Sequence, residues 1–322
     1  MARIPEEFTL PSRRGVSLQS ALIARRFYID GLQKSEIADE FGISRFKVAR
    51  MLDDAKAAGI VRIHVNIPSE ADVELGEALA ERYDVTHAFV ARVGEANSEF
   101  ADMMMATLAA DYLMSAVSPH DVLGMSWGSS VARVVHHIHS LPAIDTVQLV
   151  GGVRSSDLDT NGTELVRRLS HVSGGQAFPL MAPLLVDSPT TASALRSEAA
   201  VAQAMARFSD LTIALVGIGS WVPQRSSLAS EISDADRSFL LGAGATADVS
   251  AIVLTSEGQE VESPLSERTL SISFSELAAV PNVVAVAGGV DKTRAIKAAL
   301  QSRLISVLVT DSEVAKELLA AG

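Results

Sequence analysis

The sequence predicts an α/β protein in two parts: a small helical head, expected over residues 1–68, and a larger body over residues 69–322 built on a mostly parallel sheet. Two changes along the chain carry this reading. Before Pro68 the apolar residues recur at helical spacing, whereas after it strand-sized apolar runs alternate with helical segments. The charge changes at the same place. Residues 1–68 hold 11 Lys and Arg against 8 Asp and Glu, and residues 69–322 hold 16 against 31, within a chain of net charge −12. A basic head on an acidic body is the pattern of a segment that meets a polyanion.

Composition bounds the alternatives. The 322 residues are 48% hydrophobic and 20% charged, as in globular chains with a sizeable core. The longest apolar runs, such as LTIALVGIG, fall far below the roughly 18 residues of a membrane helix, so no membrane partner is expected. The N-terminal MARIPEEFTLPSRR has acids and no apolar stretch, unlike a secretory signal, and a cytoplasmic setting is expected. With no cysteine, disulfides, thiolate metal sites and cysteine nucleophiles are excluded.

The head is read from KSEIADEFGISRFKVARMLDDAKAAGIVRIHVNIP. Lys34 to Phe41 reads as a short helix with Ile37, Ala38 and Phe41 on one face. Gly42 supplies a sharp left-handed turn, and Ser44 caps a second helix, Arg45 to Ala57, that buries Val48, Met51 and Leu52. This is the apolar skeleton of a helix-turn-helix. The outward face of its second helix carries Arg45, Phe46, Lys47 and Arg50. In that motif the helix enters the major groove N-terminal end first, where Arg and Lys reach guanine edges or phosphates and Phe46 suits a thymine methyl. With Lys34 and Ser44 these are the candidate DNA-binding residues; the bland alternative is a helical hairpin with solvated charges. An earlier helix, about Ser17 to Ile29, completes the head, with Arg25 and Arg26 either touching phosphate or solvated. Val61, Ile63, Val65 and Ile67 alternate with Arg62, His64 and Asn66, the period of a half-buried strand and the expected wing of a winged helix.

In the body a helix at about Ala71 to Tyr83 comes first. Strands are expected near Ala88–Val93, Val122–Met125, Thr146–Val150, Ala177–Leu180, Leu211–Ile218, Val249–Leu254, Val283–Ala287 and Leu304–Thr310. Strand–helix alternation predicts a Rossmann-like parallel-sheet domain with helices on both faces, and ligands in such sheets bind beyond the carboxyl ends of the strands. Four glycine-bearing loops fall there: Gly124-Met-Ser-Trp-Gly-Ser-Ser130, Gly217-Ile-Gly-Ser-Trp221, GAGATADVS with Asp248, and Gly288-Gly289 leading to Lys292. Backbone N–H groups and hydroxyls at a helix N-terminus make an anion or sugar-hydroxyl cradle, Asp248 can accept from ligand hydroxyls, and the Lys292 ammonium suits a phosphate or a hydroxyl cluster.

Sharper chemistry fits less well. Gly124-x-Ser126-x-Gly128 matches a hydrolase nucleophile elbow, but the seven histidines, at 64, 87, 120, 136, 137, 139 and 171, leave the last 150 residues without a base. His136, His137 and His139 cluster without an acid at ligand spacing, so no metal is expected. Gly217-x-Gly219 lacks the third glycine of a dinucleotide fingerprint, and no cofactor is expected.

Taken in order, GLQKSEIADEFGISRFKVARMLDDAKAAGIVRI, the GxSWG loop, the VGG segment at Val150–Gly152, the GIG loop, the GAxxD segment and the GGxDK segment resemble the SorC family of sugar-responsive bacterial transcription regulators over roughly residues 15–320. The resemblance implies an N-terminal winged helix-turn-helix and a sugar-binding domain related to sugar-phosphate isomerases. It also implies a tetramer on paired operator half-sites and a sugar, polyol or sugar-phosphate effector. Carried over, the effector site comprises Ser126, Gly128, Ser129, Ser130, Gly151, Gly152, Gly217, Gly219, Asp248 and Lys292. One departure is Ala247, where the family has a glycine, which is expected to narrow the pocket beside Asp248. The competing class is a sugar-phosphate isomerase-like enzyme with Asp248 as its base, although no partner acid or histidine stands out.

Overall fold

The computed structural model describes residues 18–61, 71–92, 98–153 and 160–320. The chain forms two compact units, Met1–Ile67 and Pro68–Gly322.

In the first unit, α1 (Leu18–Tyr28), α2 (Lys34–Phe41) and α3 (Arg45–Ala57) enclose a small core of Ile23, Ala24, Ile37, Ala38, Val48, Leu52 and Ala55. Phe27, Phe41, Ile43 and Met51 pack on its rim, so Met51 is half-buried rather than central. The turn between α2 and α3 depends on Gly42, whose φ of 63° is the left-handed conformation that glycine adopts cheaply. Ser44 Oγ then accepts from the Lys47 N–H at 3.2 Å and starts α3. The expected wing, from residue 62 onward, with His64, lies outside the described residues.

In the second unit α4 (Val73–Tyr83) leads into a seven-stranded sheet, all of whose pairings are parallel. Its strands are β1 (His87–Ala91), β2 (Val122–Met125), β3 (Asp145–Gln148), β4 (Ala177–Phe178), β5 (Ile213–Gly217), β9 (Asn282–Val286) and β10 (Val307–Asp311), in the order β1-β10-β9-β5-β2-β3-β4. Alternate residues of the central strands feed two cores, which is why these strands read as continuous apolar runs. Ile213, Leu215, Val284, Val286, Val307 and Val309 join one core, where α5 (Ser98–Ala116), α6 (Ser129–His137) and α7 (Gly162–Ser173) cover the sheet. Ala214, Val216, Val283, Ala285 and Leu308 join the other, with α4, α13 (Thr293–Gln301) and α14 (Ser312–Ala320). Helices α8 (Pro189–Ser197), α9 (Ala199–Ala206), α10 (Leu228–Glu231), α11 (Asp234–Gly242) and α12 (Phe274–Ala278) fill the longer connections.

Ala177–Leu180 shortens to Ala177–Phe178 and Leu304–Thr310 begins only at Val307, and three other strand expectations change in kind or end early. The run Val249–Leu254 is a hairpin: β7 (Ala247–Val249) turns through Ser250 and Ala251, both left-handed, into β8 (Ile252–Leu254). With β6 (Gly219–Ser220) these strands form a second, antiparallel sheet, ordered β6-β7-β8. Leu211–Ile218 therefore ends early, because the chain leaves the parallel sheet at Gly217 to build β6. Thr146–Val150 also stops early: Leu149 N–H still donates to Met125 of β2, but its carbonyl accepts from Ile272 and Val150 bridges to Ser271.

Candidate functional site

Three of the four glycine loops meet where the large and small sheets adjoin. The loop after β2 runs Ser126, Trp127 and Gly128 into α6, with Ser129 and Ser130 in its first turn. The loop after β5 brings Gly217, Ile218 and Gly219, and β7 brings Asp248, with Ser250 just beyond. Together with Arg225, Ser227 and Lys292 these residues line a cleft. Gly128 has φ 110°, a backbone only glycine adopts without strain, and it turns the chain so that the α6 N-terminus opens on the cleft. First-turn amides there have no partner within their own helix.

Asp248 is the one carboxylate among the cleft-lining residues, and it is buried. Trp221 Nε1–H donates to its Oδ1 at 3.1 Å, and the Ser226 hydroxyl donates as well. Burial pushes the carboxyl above the usual carboxylate range; the Ser226 and Trp221 hydrogen bonds and the Lys292 charge oppose that shift. Lys292 Nζ donates to the Ile218 carbonyl at 3.1 Å, tying the loop after β9 to the loop after β5. Burial lowers the Lys292 pKa, and the charges of Asp248, Asp291 and Asp102 oppose this. The cleft thus pairs a buried acceptor with a half-buried donor, surrounded by hydroxyls and amides.

A second hollow continues past Lys292. It shares Ser129, Ser130, Arg225 and Lys292 with the cleft and adds Gly288, Gly289, Asp291 and Asp311. Arg225 Nε lies 2.8 Å from Asp291 Oδ2. The Gly288–Gly289 turn is held by Asp311, whose Oδ2 accepts from the Gly289 N–H at 2.6 Å while its Oδ1 accepts from Glu313 and Val314 at 3.0 and 2.9 Å.

Several expected residues fall elsewhere. Gly151 and Gly152 are not among the cleft-lining residues: Gly151 packs so closely on Ala182 and Pro183 that a Cβ would meet their backbone at 2.7–2.8 Å, and Gly152 borders a separate hollow with Pro183 and Arg268. Ala247 does not narrow the cleft. It alternates with Asp248 on β7 and its side chain belongs to the hydrophobic core. Sequence reasoning missed Arg225 and Ser227, which follow the GIGSW loop, and Ser250, which sits in the left-handed turn that ends β7. Ser250 belongs to the same GAGATADVS segment as Asp248; nothing in the sequence brought Arg225 to the cleft. No histidine lines the cleft, and among the described residues no group of three or more His, Cys, Asp or Glu is placed to hold a metal.

In the head, Arg45, Phe46, Lys47 and Arg50 are all exposed, Phe46 at 88%. Phe46 and Arg50, one turn apart, lie opposite the buried stripe of Val48, Leu52 and Ala55. Beyond them α3 exposes Asp53, Asp54, Lys56 and Ala57, so its outer surface is basic at the N-terminal end and of mixed charge further along. Lys34 is half-buried, its ammonium 5.5 Å from the centre of the Phe27 ring, and Ser44 serves as the α3 cap. Arg25 is exposed, whereas Arg26 is engaged by Asp30 at 3.0 Å and Glu40 at 2.8 Å.

The family model described as "Putative sugar-binding domain" matches residues 68–320. The chain belongs to this SorC-like sugar-binding family. It is 29% identical over 308 residues to the transcriptional regulator LsrR of Klebsiella pneumoniae subsp. pneumoniae, spanning 93% of this chain and 92% of that protein. It is 24% identical over 299 residues to the deoxyribonucleoside regulator of Bacillus subtilis, spanning 92% and 95%. Among solved structures, the full-length sorbitol operon regulator SorC of Klebsiella pneumoniae superposes with a TM-score of 0.73 at 25% identity, covering 93% of this chain and 97% of that one. Among the described residues no helix is long and apolar enough to cross a membrane.

Proposed function

We propose that this member of the family is a transcriptional regulator of carbohydrate or polyol catabolism genes, working in the cytoplasm, whose operator binding is set by a sugar, polyol or sugar-phosphate effector. The observation that carries this reading is the polar cleft around Asp248 and Lys292, in a chain whose other unit exposes Arg45, Phe46, Lys47 and Arg50 on one helix end. The head acts as a winged helix-turn-helix, α3 entering the major groove by its basic N-terminal end, which carries Arg45, Lys47 and Arg50. The effector lies across the cleft: Gly128, Ser129 and Ser130 present amides and hydroxyls, Asp248 accepts from ligand hydroxyls, and Lys292 binds a phosphate or a terminal hydroxyl. Ser126, Gly217 and Gly219 shape the walls.

Operator affinity then changes through linkage. An effector that binds one arrangement of paired heads better than another shifts the population by the ratio of its two affinities. A homotetramer on two operator half-sites supplies such arrangements, and the acidic body helps confine contact to the heads. The reading is tested by binding purified protein to DNA from its own promoter region at low salt, with and without small sugars, polyols and their monophosphates. Ligand-dependent DNA binding without turnover supports it. Absence of DNA binding, or catalytic isomerisation of a sugar phosphate, rejects it, the latter in favour of an isomerase-like enzyme using Asp248.

A further inference from the structure

At the inner edge of the cleft, next to Asp248, one polar group has nothing to do in the fold. Ser250 is 2% exposed and lines the cleft, yet its Oγ has no hydrogen-bond partner. A buried hydroxyl without a partner costs stability, and native proteins keep few of them.

The backbone that carries it is also unfavourable. β7 and β8 pair from Val249 to Ile252 and are joined by two residues, Ser250 with φ 51° and Ala251 with φ 70°. A two-residue hairpin with both residues left-handed is usually built from Asn and Gly, because a side chain there is strained. The turn would form more easily with Gly at 250, and a core position with no partner would be better filled by a carbon. Two local penalties at one residue, in a site lined by ligand-type groups, point to use rather than to packing.

Building on the regulator reading above, we infer that Ser250 is an effector-binding residue whose hydroxyl shares with Asp248 one uncharged hydroxyl of the ligand, and so sets what the inner end of the cleft accepts. Asp248 on β7 and Ser250 in the turn that follows it both line the cleft, which places the two groups beside the same stretch of ligand. Asp248 is a hydrogen-bond acceptor when ionised; Ser250 both donates and accepts. A ligand hydroxyl donating to the carboxylate while accepting from Ser250 satisfies all three groups. A phosphate or carboxylate at the same place meets a buried carboxylate instead and is rejected, so any charged end of the ligand points the other way. The Ser250 oxygen is shielded from solvent, and a turn about χ1 to another staggered position is the small movement by which it engages the ligand.

The test uses full-length protein in three forms: wild type, Ser250→Ala and Ser250→Gly. Thermal unfolding is measured without ligand and against a panel of small sugars, polyols and their monophosphates, and the compound that shifts wild type most is titrated into all three. Ligand-free melting temperature is expected to rise by about 2 °C in Ser250→Ala, which removes the orphan hydroxyl, and further in Ser250→Gly, which also relieves the turn. The titration midpoint is expected to weaken about threefold to tenfold in both variants, the loss of one neutral hydrogen bond. A Ser250→Ala variant that melts lower than wild type, or whose midpoint stays within about twofold, overturns the assignment of Ser250 and leaves the regulator reading standing. A wild type that no compound in the panel shifts overturns the effector cleft itself, and the role of Ser250 with it.

Discussion

Gly219 and Asp248 are direct partners across the β6–β7 pair, and the Asp248 carboxylate occupies the space a side chain on Gly219 would take. The glycine is what lets a buried acid stand beside the backbone of the loop after β5. Gly219→Ala is expected to displace the carboxylate from Trp221 and Ser226, lower the melting temperature and remove the effector response, while DNA binding without effector persists. Gly217→Ala is the control. A Cβ there meets only Val131 Cγ2, at 3.9 Å, an ordinary contact. Thermal unfolding and effector titration of the two variants side by side check this; equal behaviour would count against the steric argument.

Asp248 makes stability depend on pH in a particular direction. Its folded-state pKa is raised by burial, so the folded protein holds this proton more tightly than the unfolded chain. The stabilising contribution is therefore complete below the unfolded carboxyl value of about 3.8 and is lost as pH rises through the higher folded value. Asp248→Asn keeps an oxygen for Trp221 and Ser226 but cannot ionise. It also deprives Lys292 of a nearby negative charge, yet that attraction is the smallest of the causes acting on Asp248 and burial is the largest. Ligand-free Asp248→Asn is thus expected to melt above wild type at neutral pH, with the gap closing as the pH is lowered toward 4. Melting curves across that pH range decide it, and a gap that widens on acidification would reverse the sign.

Much of this was legible in the sequence, for physical reasons that differ by element. The central strands were readable because both faces are buried, which makes Val283–Ala287 an uninterrupted apolar run and leaves Ser306 as the one break in Leu304–Val309. Apolarity says nothing of direction, so Val249–Leu254 looked like one strand although two left-handed residues fold it back on itself. Ser and Ala at those positions carry no turn signature. Asp248 and Lys292 were legible because a charge within a glycine-bearing loop after a strand is conspicuous. Arg225 was not, since a long connection brings it to the cleft, and only the fold reveals its pairing with Asp291. Gly151 misled for the opposite reason: close packing against Pro183 demands glycine as strongly as a ligand does.

Lys292 has two roles that one substitution can separate. Its ammonium donates to the Ile218 carbonyl and holds two loops together, and with Arg225 it is one of two cations at the junction of the cleft and the outer hollow. Lys292→Met keeps most of the buried stem and removes the charge. The lost hydrogen bond is expected to be offset by relief of a partly buried charge, leaving stability within about 1 kcal/mol of wild type. Effector affinity should fall at least about tenfold, with effector-free DNA binding unchanged. Isothermal titration beside DNA-binding anisotropy checks both, and an unaltered effector isotherm would remove Lys292 from the site.

The arginines of the head differ in how free they are. Arg26 is neutralised by Asp30 and Glu40, and hydrogen bonds to both hold its guanidinium. No ion pair engages Arg50 among the described residues, and it projects opposite the α3 core stripe beside Phe46. Arg50→Ala is therefore expected to weaken binding to promoter DNA by about 1–3 kcal/mol if it reads a base. If it meets only phosphate, the loss should be similar for unrelated DNA and the salt slope should fall by about 1. Arg26→Ala should do neither, since its partners already screen it, and should cost only the small stability of an exposed pair. Fluorescence anisotropy against promoter and scrambled duplexes, at two salt concentrations, separates these outcomes. Effector-induced stabilisation of the body should be the same in both variants; a head in which Arg26→Ala is the more damaging change would mean that a different face of the unit meets DNA.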